Sequence, residues 1–116
     1  MSAGQTDRLT FVLIVRIPAE GVADFQAYED AVLPLLPEYN GRLERRLRNQ
    51  DGTVEMHILS FASAADRDNY RSDPRRKAQA WLLEKSSAKS ELFPMTDVAL
   101  VRTDALSGME SGFGQQ

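Results

Sequence analysis

The chain has 116 residues, of which 42% are hydrophobic, 27% charged and 8% aromatic, with a net charge of −3 and no cysteine. This length is typical of a single domain that buries roughly two thirds of its surface on folding. The composition excludes a disordered chain, a collagen-like repeat, a disulfide scaffold and any thiolate metal site.

Charge is distributed unevenly along the chain. The net charge is −4 over residues 1–41, +4 over residues 42–89 and −3 over residues 90–116. An acidic chain with a pI near 5.1 is not typical of a nucleic-acid binder, so we expect the basic middle to meet a small anion or an acidic surface of a partner subunit. No apolar run approaches the ~20 residues that span a bilayer, and Met1–Asp7 has no apolar signal core. We therefore expect a cytoplasmic protein without membrane contact.

The first predicted element is a strand over Leu9–Ile17, which is rich in β-branched and aromatic residues and ends before Pro18. Both of its faces are apolar, since the residues at odd positions lie on one face and Val12 and Ile14 lie on the other. A strand of this kind needs cover on both faces, as a central strand does.

A helical stripe of apolar residues follows from Gly21 to about Tyr39. Pro34 and Pro37 interrupt it, because proline removes a backbone donor and clashes with the preceding turn. We expect a kink or break near Leu33, and a left-handed residue in Asn40-Gly41 that ends the helix.

Two alternating segments around the turn signal Asn49–Gly52 predict a β-hairpin. In the first arm, the alternation puts Leu43, Arg45 and Leu47 on one face. The other face is expected to be solvated and carries Arg42, Glu44, Arg46 and Arg48. Such a charged arm suits a sheet edge. The second arm, Thr53–Phe61, suits the sheet interior.

A second helical segment begins after the N-cap Ser63 and is broken at Ser72-Asp73-Pro74, where Asp73 caps a new helix and Pro74 opens it. We expect a last strand over Glu91–Arg102, with its early proline at a sheet edge. The chain then divides into a flexible N-terminus (1–8), one domain (9–102) and a flexible C-terminal tail (103–116).

The order strand, helix, strand, strand, helix, strand predicts an α+β, ferredoxin-like βαββαβ fold, a four-stranded antiparallel sheet with two helices on one face. The face of the sheet without helices then exposes Val12 and Ile14. Val98 and Leu100 of the last strand can extend this apolar surface. An uncovered apolar sheet face invites a second copy of itself. We therefore predict a homodimer that packs through this sheet face.

The sequence resembles the dimeric α+β-barrel superfamily, above all its small uncharacterised members, with antibiotic-biosynthesis monooxygenases and NIPSNAP-type proteins as relatives. The resemblance covers about Leu9 to Arg102 and rests on the following residues: Tyr28, Tyr39–Arg42, Glu55–Ser63, Asp66-Arg67 and Tyr70–Pro74. It implies a dimeric α+β barrel with a pocket in each subunit, between the helices and the sheet. Known activities among such proteins include cofactor-independent oxygenases, heme-degrading enzymes, isomerases and dehalogenase-like proteins, so function must be argued from the site.

His57 is the only histidine and is the candidate catalytic residue. If its strand face meets the helices, the ring points into the pocket and can act as general base or bind a substrate carbonyl. The alternative is a histidine that helps to fix the sheet or the dimer face. A single histidine excludes a three-histidine metal site within one chain. It could ligate a heme, but no other feature supports heme, and we expect neither metal nor cofactor.

Four further residues are candidates for substrate binding. Tyr28 and Trp81 could line an aromatic pocket, although aromatic residues at helical spacing are more often core. Arg16 and Arg45 interrupt apolar strand faces, where a guanidinium needs a carboxylate or a bound anion. Paired carboxylates such as Glu29-Asp30 are expected to face solvent.

These features leave three functional hypotheses. The first is a protein that binds a small organic molecule between helices and sheet. The second is a cofactor-independent monooxygenase or isomerase that acts on an aromatic or polyketide-like substrate, with His57 as base. The third is a non-catalytic dimerisation module. A pocket of ~300 Å³ or more with His57 at its wall favours the first two, and a filled core favours the third.

Overall fold

The computed structural model describes residues 7–100, which form one antiparallel sheet and three α-helices. The elements are β1 (Leu9–Arg16), α1 (Val22–Val32), a 3-10 helix (Leu33–Tyr39), β2 (Gly41–Arg48), β3 (Val54–Phe61), α2 (Ala64–Ser72), α3 (Pro74–Ser86) and β4 (Lys89–Met95). The strand order is β2-β3-β1-β4, with each neighbouring pair antiparallel. The predicted α+β, ferredoxin-like fold is confirmed. None of the helices in this part of the chain is long and apolar enough to cross a membrane.

Both predicted interruptions of the helical layer are confirmed. The first α-helix ends at Val32, and the chain continues as a 3-10 helix that contains Pro34 and Pro37. Asn40 then adopts a left-handed conformation (φ 53°) and ends this segment. The second interruption is at Asp73, whose carboxylate accepts a hydrogen bond from the Arg75 amide at 2.7 Å and so caps α3.

Alternate residues of the central strands divide the sheet into a helix face and a back face. On the helix face, Phe11 and Val15 of β1 and Phe61 of β3 are buried against the helices. On the back face, Val12 pairs with Ile58 of β3 and Phe93 of β4, and Phe93 is 41% exposed. No described residue covers this apolar back face.

Strand β2 departs from the predicted alternation because a β-bulge lies between Leu43 and Arg45. One extra residue in one strand reverses the faces of all residues that follow. Arg46 and Arg48 therefore share the helix face with Leu43, while Arg45 is opposite Ile58 on the back face. The expectation that Arg45 shares a face with Leu43 is wrong, as is the expectation that Arg46 and Arg48 are simply solvated.

The last strand is shorter and begins earlier than predicted. It covers Lys89–Met95, because its pairing with β1 ends where Thr10 meets Met95. Val98 and Leu100 lie beyond it and are exposed, so the prediction that they extend the apolar back face is wrong. The predicted flexible tail (103–116), residues 1–6 of the predicted flexible N-terminus, and residues 101–102 of the predicted last strand lie outside the described residues.

Candidate functional site

His57 lies in the centre of β3 with its ring buried between the sheet and the helices; only 3% of the residue is exposed. Its Nε2 atom is 2.8 Å from Glu55 Oε1 and 2.9 Å from Glu29 Oε2. A single N–H cannot point at both oxygens, and Glu29 Oε2 has no hydrogen bond with acceptable geometry within residues 7–100. His57 Nε2 is thus occupied by two carboxylates, while Nδ1 makes no hydrogen bond with the described residues.

The two carboxylates come from different elements. Glu55 precedes His57 by two residues in β3, so both side chains are on the helix face of the sheet. Glu29 comes from α1, where it is four residues after Phe25 and three before Val32, both buried. Glu29 is therefore within the buried stripe of this helix, and the expectation that it faces solvent is wrong.

Two arginines of the edge strand neutralise these carboxylates. Arg46 donates to Glu29 Oε1 at 2.9 Å and to Glu55 Oε1 at 3.2 Å. Arg48 donates from Nε to Glu55 Oε2 at 2.6 Å. The β2 bulge makes this possible, because it turns both guanidinium groups to the helix face. We call these five residues, Glu29, Arg46, Arg48, Glu55 and His57, the acid–base cluster.

Burial and neighbouring charges shift the pKa values of Glu29, Glu55 and His57 in different directions. Burial raises the pKa of Glu29, assisted by the nearby Glu55 carboxylate. Burial acts in the same direction on Glu55, but its close polar contacts with Glu29, His57 and Arg48 outweigh burial and lower its pKa to about 2. Burial opposes protonation of His57, yet the close contacts and charges of the two carboxylates raise its pKa. Glu55 therefore stays ionised, while Glu29 and His57 hold protons more readily than usual.

One oxygen of each glutamate and a ring nitrogen of His57 lie within 4.8 Å of one another, which is also an arrangement that can hold a metal ion. However, Arg46 and Arg48 already occupy three of the four carboxylate oxygens. Only Glu29 Oε2 remains without a hydrogen bond. The cluster is thus better suited to holding and moving a proton than to coordinating a cation, which the two guanidinium groups would repel.

The acid–base cluster opens onto a cavity of about 490 Å³ between the sheet and the helices. Glu29 and His57 belong to its wall. Most of the remaining wall is apolar or aromatic, and its residues include Leu13, Phe25, Tyr28, Val32, Tyr70 and Leu83. A cavity of this size with few polar groups is typical of a site for a small organic molecule.

A second depression of about 550 Å³ is lined by the 3-10 helix and the start of β2, including Pro34, Pro37 and Arg42. Its charged lining residues are Arg8 and Arg42, and the lining contains neither a histidine nor a carboxylate. It offers no group that exchanges a proton near neutrality. The cavity beside His57 is therefore the better candidate site despite its smaller volume.

The structure brings two of the five predicted site residues to the cavity, His57 and Tyr28. Tyr28 is buried, and its hydroxyl accepts a hydrogen bond from Arg76 at 2.8 Å. The other three, Trp81, Arg16 and Arg45, are not part of the cavity wall.

Trp81 is 58% exposed and is not part of the cavity wall. The cavity side of α3 carries Leu83 instead, and two residues along a helix correspond to a rotation of about 200°. Arg16 is on the back face and forms an exposed ion pair with Glu91 at 2.6 Å, which fits the carboxylate partner considered for it. Arg45 is exposed on the same back face.

No protein-family model and no curated protein matches the sequence. Several solved structures share its fold. A candidate antibiotic-biosynthesis monooxygenase from Bacteroides thetaiotaomicron has a TM-score of 0.69 at 12% identity, covering 86% of this chain and 99% of its own. SnoaB, a cofactor-independent oxygenase from Streptomyces nogalater, has a TM-score of 0.62 at 18% identity, covering 84% and 100%.

A NIPSNAP domain protein from Burkholderia xenovorans has a TM-score of 0.60 at 19% identity, covering 81% of this chain and 98% of its own. Identities this low show the fold and leave activity open. The predicted likeness to monooxygenase-like and NIPSNAP proteins is thus confirmed for the fold: the described residues form the ferredoxin-like α+β fold of that group.

Proposed function

We propose that the chain binds a small organic molecule in the cavity between its helices and its sheet. The observation that carries this proposal is the acid–base cluster in the wall of a largely apolar cavity of about 490 Å³. A small organic molecule can bury apolar surface against the largely apolar lining, and a polar group of that molecule can meet His57. The same cavity speaks against the third hypothesis, a non-catalytic dimerisation module with a filled core.

A ligand screen read by thermal unfolding tests this proposal. A ligand at 100 times its dissociation constant stabilises the native state by about 2.7 kcal/mol, which corresponds to a rise in Tm of roughly 10 °C. The variant Ala88→Phe fills part of the cavity wall, and Ala78→Phe makes the same change at an exposed position of α3. We expect the ligand to stabilise the wild type and Ala78→Phe but not Ala88→Phe. Equal stabilisation of both variants would place binding elsewhere.

A second candidate function is acid–base catalysis by His57, as in a cofactor-independent monooxygenase or isomerase. The favouring observation is the pair of carboxylates on Nε2, which leaves Nδ1 to exchange a proton with a bound molecule. Removal of a proton from an activated carbon gives a carbanion, which can be reprotonated at another carbon or react with O₂. Of the solved structures with this fold, SnoaB is described as a cofactor-independent oxygenase.

Replacement of His57 separates the binding and catalytic hypotheses once a substrate is identified. We expect His57→Gln to keep ligand binding within a few-fold and to lower turnover by about 10² to 10⁴, the usual contribution of a general base. Unchanged turnover would reject the role of His57 as a base and leave the binding function intact.

We further propose that two copies of the chain pair through the back face of the sheet. Supporting this, Val12, Ile14, Met56 and Ile58 form adjacent apolar pairs there, next to the exposed Phe93. Such a continuous apolar surface is costly in water. Charges at its margin, such as the Arg16–Glu91 ion pair, can fix the orientation of the partner.

Light scattering tests the homodimer directly. We expect the wild type to have twice the 13.0 kDa mass of one chain. Ile58→Lys places a charge in the centre of the back face, and we expect it to give a monomer. Trp81→Lys is the matched control, because Trp81 is an exposed apolar residue of α3 away from the sheet, and it should remain dimeric. A monomeric wild type at micromolar concentration would overturn the proposal.

A further inference from the structure

Three arginines line the helix side of the cavity. Arg67 and Arg71 come from α2 and Arg76 from α3. None of the three forms an ion pair with any of residues 7–100. By contrast, the arginines of the acid–base cluster and Arg75 all have carboxylate partners. The cavity therefore has a cationic mouth, a term used here for Arg67, Arg71 and Arg76.

Aromatic rings hold two of these cations in place. The guanidinium carbon of Arg76 lies 4.6 Å from the centre of the Tyr70 ring, and that of Arg67 lies 4.7 Å from the centre of the Phe11 ring. Arg76 also donates from Nη2 to Tyr28 Oη at 2.8 Å. Its Nε atom is buried and has no hydrogen-bond partner in the described part of the chain. The side chain of Arg76 is thus held in a fixed position in the cavity wall.

The electrostatic setting of the mouth favours an anion. Arg67 is partly buried, and burial followed by the charge of Arg71 lowers its pKa, against a smaller opposite effect of Asp68. Cations that repel one another beside an apolar cavity gain from a shared counter-ion. Guanidinium groups bind a carboxylate through two parallel hydrogen bonds, which fixes the orientation of the ligand.

We infer that the ligand of this cavity is an anionic organic molecule, with a carboxylate held by the cationic mouth and an apolar body against the inner wall. This inference rests on the proposed binding function and adds the chemical class of its ligand. The cavity wall contains two kinds of charged group: arginines without acidic partners from the helices, and the carboxylate-bound His57 from the sheet. An uncharged hydrocarbon would leave the three cations unpaired.

A pair of probes of nearly equal shape tests the inference. Naphthalene-2-carboxylate carries the anion, and naphthalene-2-carboxamide is its neutral counterpart. We expect calorimetry at low salt to give at least tenfold tighter binding of the carboxylate, and this preference to decrease as salt is added. Naphthalene-2-sulfonate distinguishes carboxylate recognition from general anion binding: we expect it to bind more weakly than the carboxylate. Equal binding of the two anions would overturn the carboxylate assignment.

Substitutions in the mouth locate the anion. We expect Arg67→Gln and Arg71→Gln each to weaken carboxylate binding about tenfold while leaving carboxamide binding within twofold. Lys77→Gln removes the same charge from the exposed residue next to Arg76 and should change neither. Circular dichroism checks that each variant is folded, and the exposed Arg71 keeps the test informative if Arg67→Gln is unstable.

The outcomes separate this inference from the proposed function. If both probes bind equally and Ala88→Phe abolishes both, the cavity is a binding site but the anion assignment is overturned. If the carboxylate preference survives in both arginine variants, the cationic mouth is not the anion site. If neither probe binds at millimolar concentration while an uncharged ligand of the screen stabilises the wild type but not Ala88→Phe, the binding function stands and the anion inference is contradicted.

Discussion

Replacement of Glu55 by glutamine tests the energetic role of the acid–base cluster. The Glu55 side chain is fully buried and interacts with Arg46, Arg48 and His57 at 3.2, 2.6 and 2.8 Å. Glutamine has the same shape but no negative charge, and its amide N–H₂ would face these donors. Arg46, Arg48 and His57 would then have only the Glu29 carboxylate to balance their positive charge.

Two approaches give a similar magnitude for this change. Removal of one partner from a buried ion pair costs 3–5 kcal/mol, and the lower end applies because the Arg46 and Arg48 side chains are 32% and 38% exposed and can regain water. Separately, a pKa lowered from 4.5 to about 2 corresponds to about 3 kcal/mol. We expect a loss of about 3 kcal/mol in the free energy of unfolding, or roughly 12 °C in Tm.

Urea unfolding followed by circular dichroism measures this loss, since Trp81 is exposed and a weak fluorescence reporter. The matched control is Glu91→Gln, which makes the same chemical change in a carboxylate 2.6 Å from Arg16, but at the surface. We expect the control to cost less than about 1 kcal/mol. Similar losses in the two variants would refute the argument that burial makes the cluster strong.

The pH dependence provides a further check on Glu55. Because the pKa of Glu55 is lower in the folded than in the unfolded state, its contribution to the free energy of unfolding is complete above pH 4.5. This contribution is lost as the pH falls towards 2. The stability difference between wild type and Glu55→Gln should therefore decrease over this range.

Three other predictions concern the cluster and the helices. Because the pKa of His57 is raised on folding, its contribution to the free energy of unfolding is complete below pH 6.5 and is lost as the pH rises through the folded pKa. Urea midpoints should therefore fall at alkaline pH in the wild type but not in His57→Gln. Gly21→Ala should cost more than 1 kcal/mol by thermal unfolding, because a Cβ atom would lie 2.0 Å from the Ser86 carbonyl oxygen; an unchanged Tm would contradict this close approach. Asp73→Ala should cost about 1–2 kcal/mol by loss of the α3 N-cap, and Asp73→Asn should recover most of it if capping is the cause.

The fold could be predicted because its signals are local. Prolines at positions 34 and 37 and the Asp73-Pro74 pair mark helix interruptions that the chain makes regardless of tertiary context. The alternation in β3 puts His57 on the same strand face as Phe61, but it does not show whether that face meets the helices, which depends on tertiary packing. The order of the elements then leaves few arrangements of a four-stranded sheet.

The acid–base cluster was only partly predictable. Glu29 and Glu55 could have been found, because helical spacing puts Glu29 with Phe25 and Val32, and Glu55 is two residues from His57. Its charge predicts a surface position for Glu29, although the helical spacing puts it within the apolar stripe. The roles of Arg46 and Arg48 could not be deduced, because they depend on a bulge whose position has no clear signal in the sequence.

Trp81 illustrates a different source of error. The helix α3 has a weak apolar pattern, in which the size of the Trp81 side chain favours a position on the inner face of the helix. In the folded chain, the cavity side of this helix is set by the tertiary position of Arg76 and Leu83. Two sides of a helix with similar composition can be distinguished only by what packs against them.

The most direct test of the central claim is an NMR titration of His57, which is unambiguous because the chain has a single histidine. The account predicts a pKa above 6.5, a lower value in Glu29→Gln, and a change in the ring resonances when naphthalene-2-carboxylate fills the cavity. A pKa at or below 6.5 that is insensitive to both the substitution and the probe would contradict a carboxylate-bound histidine in the wall of a ligand site.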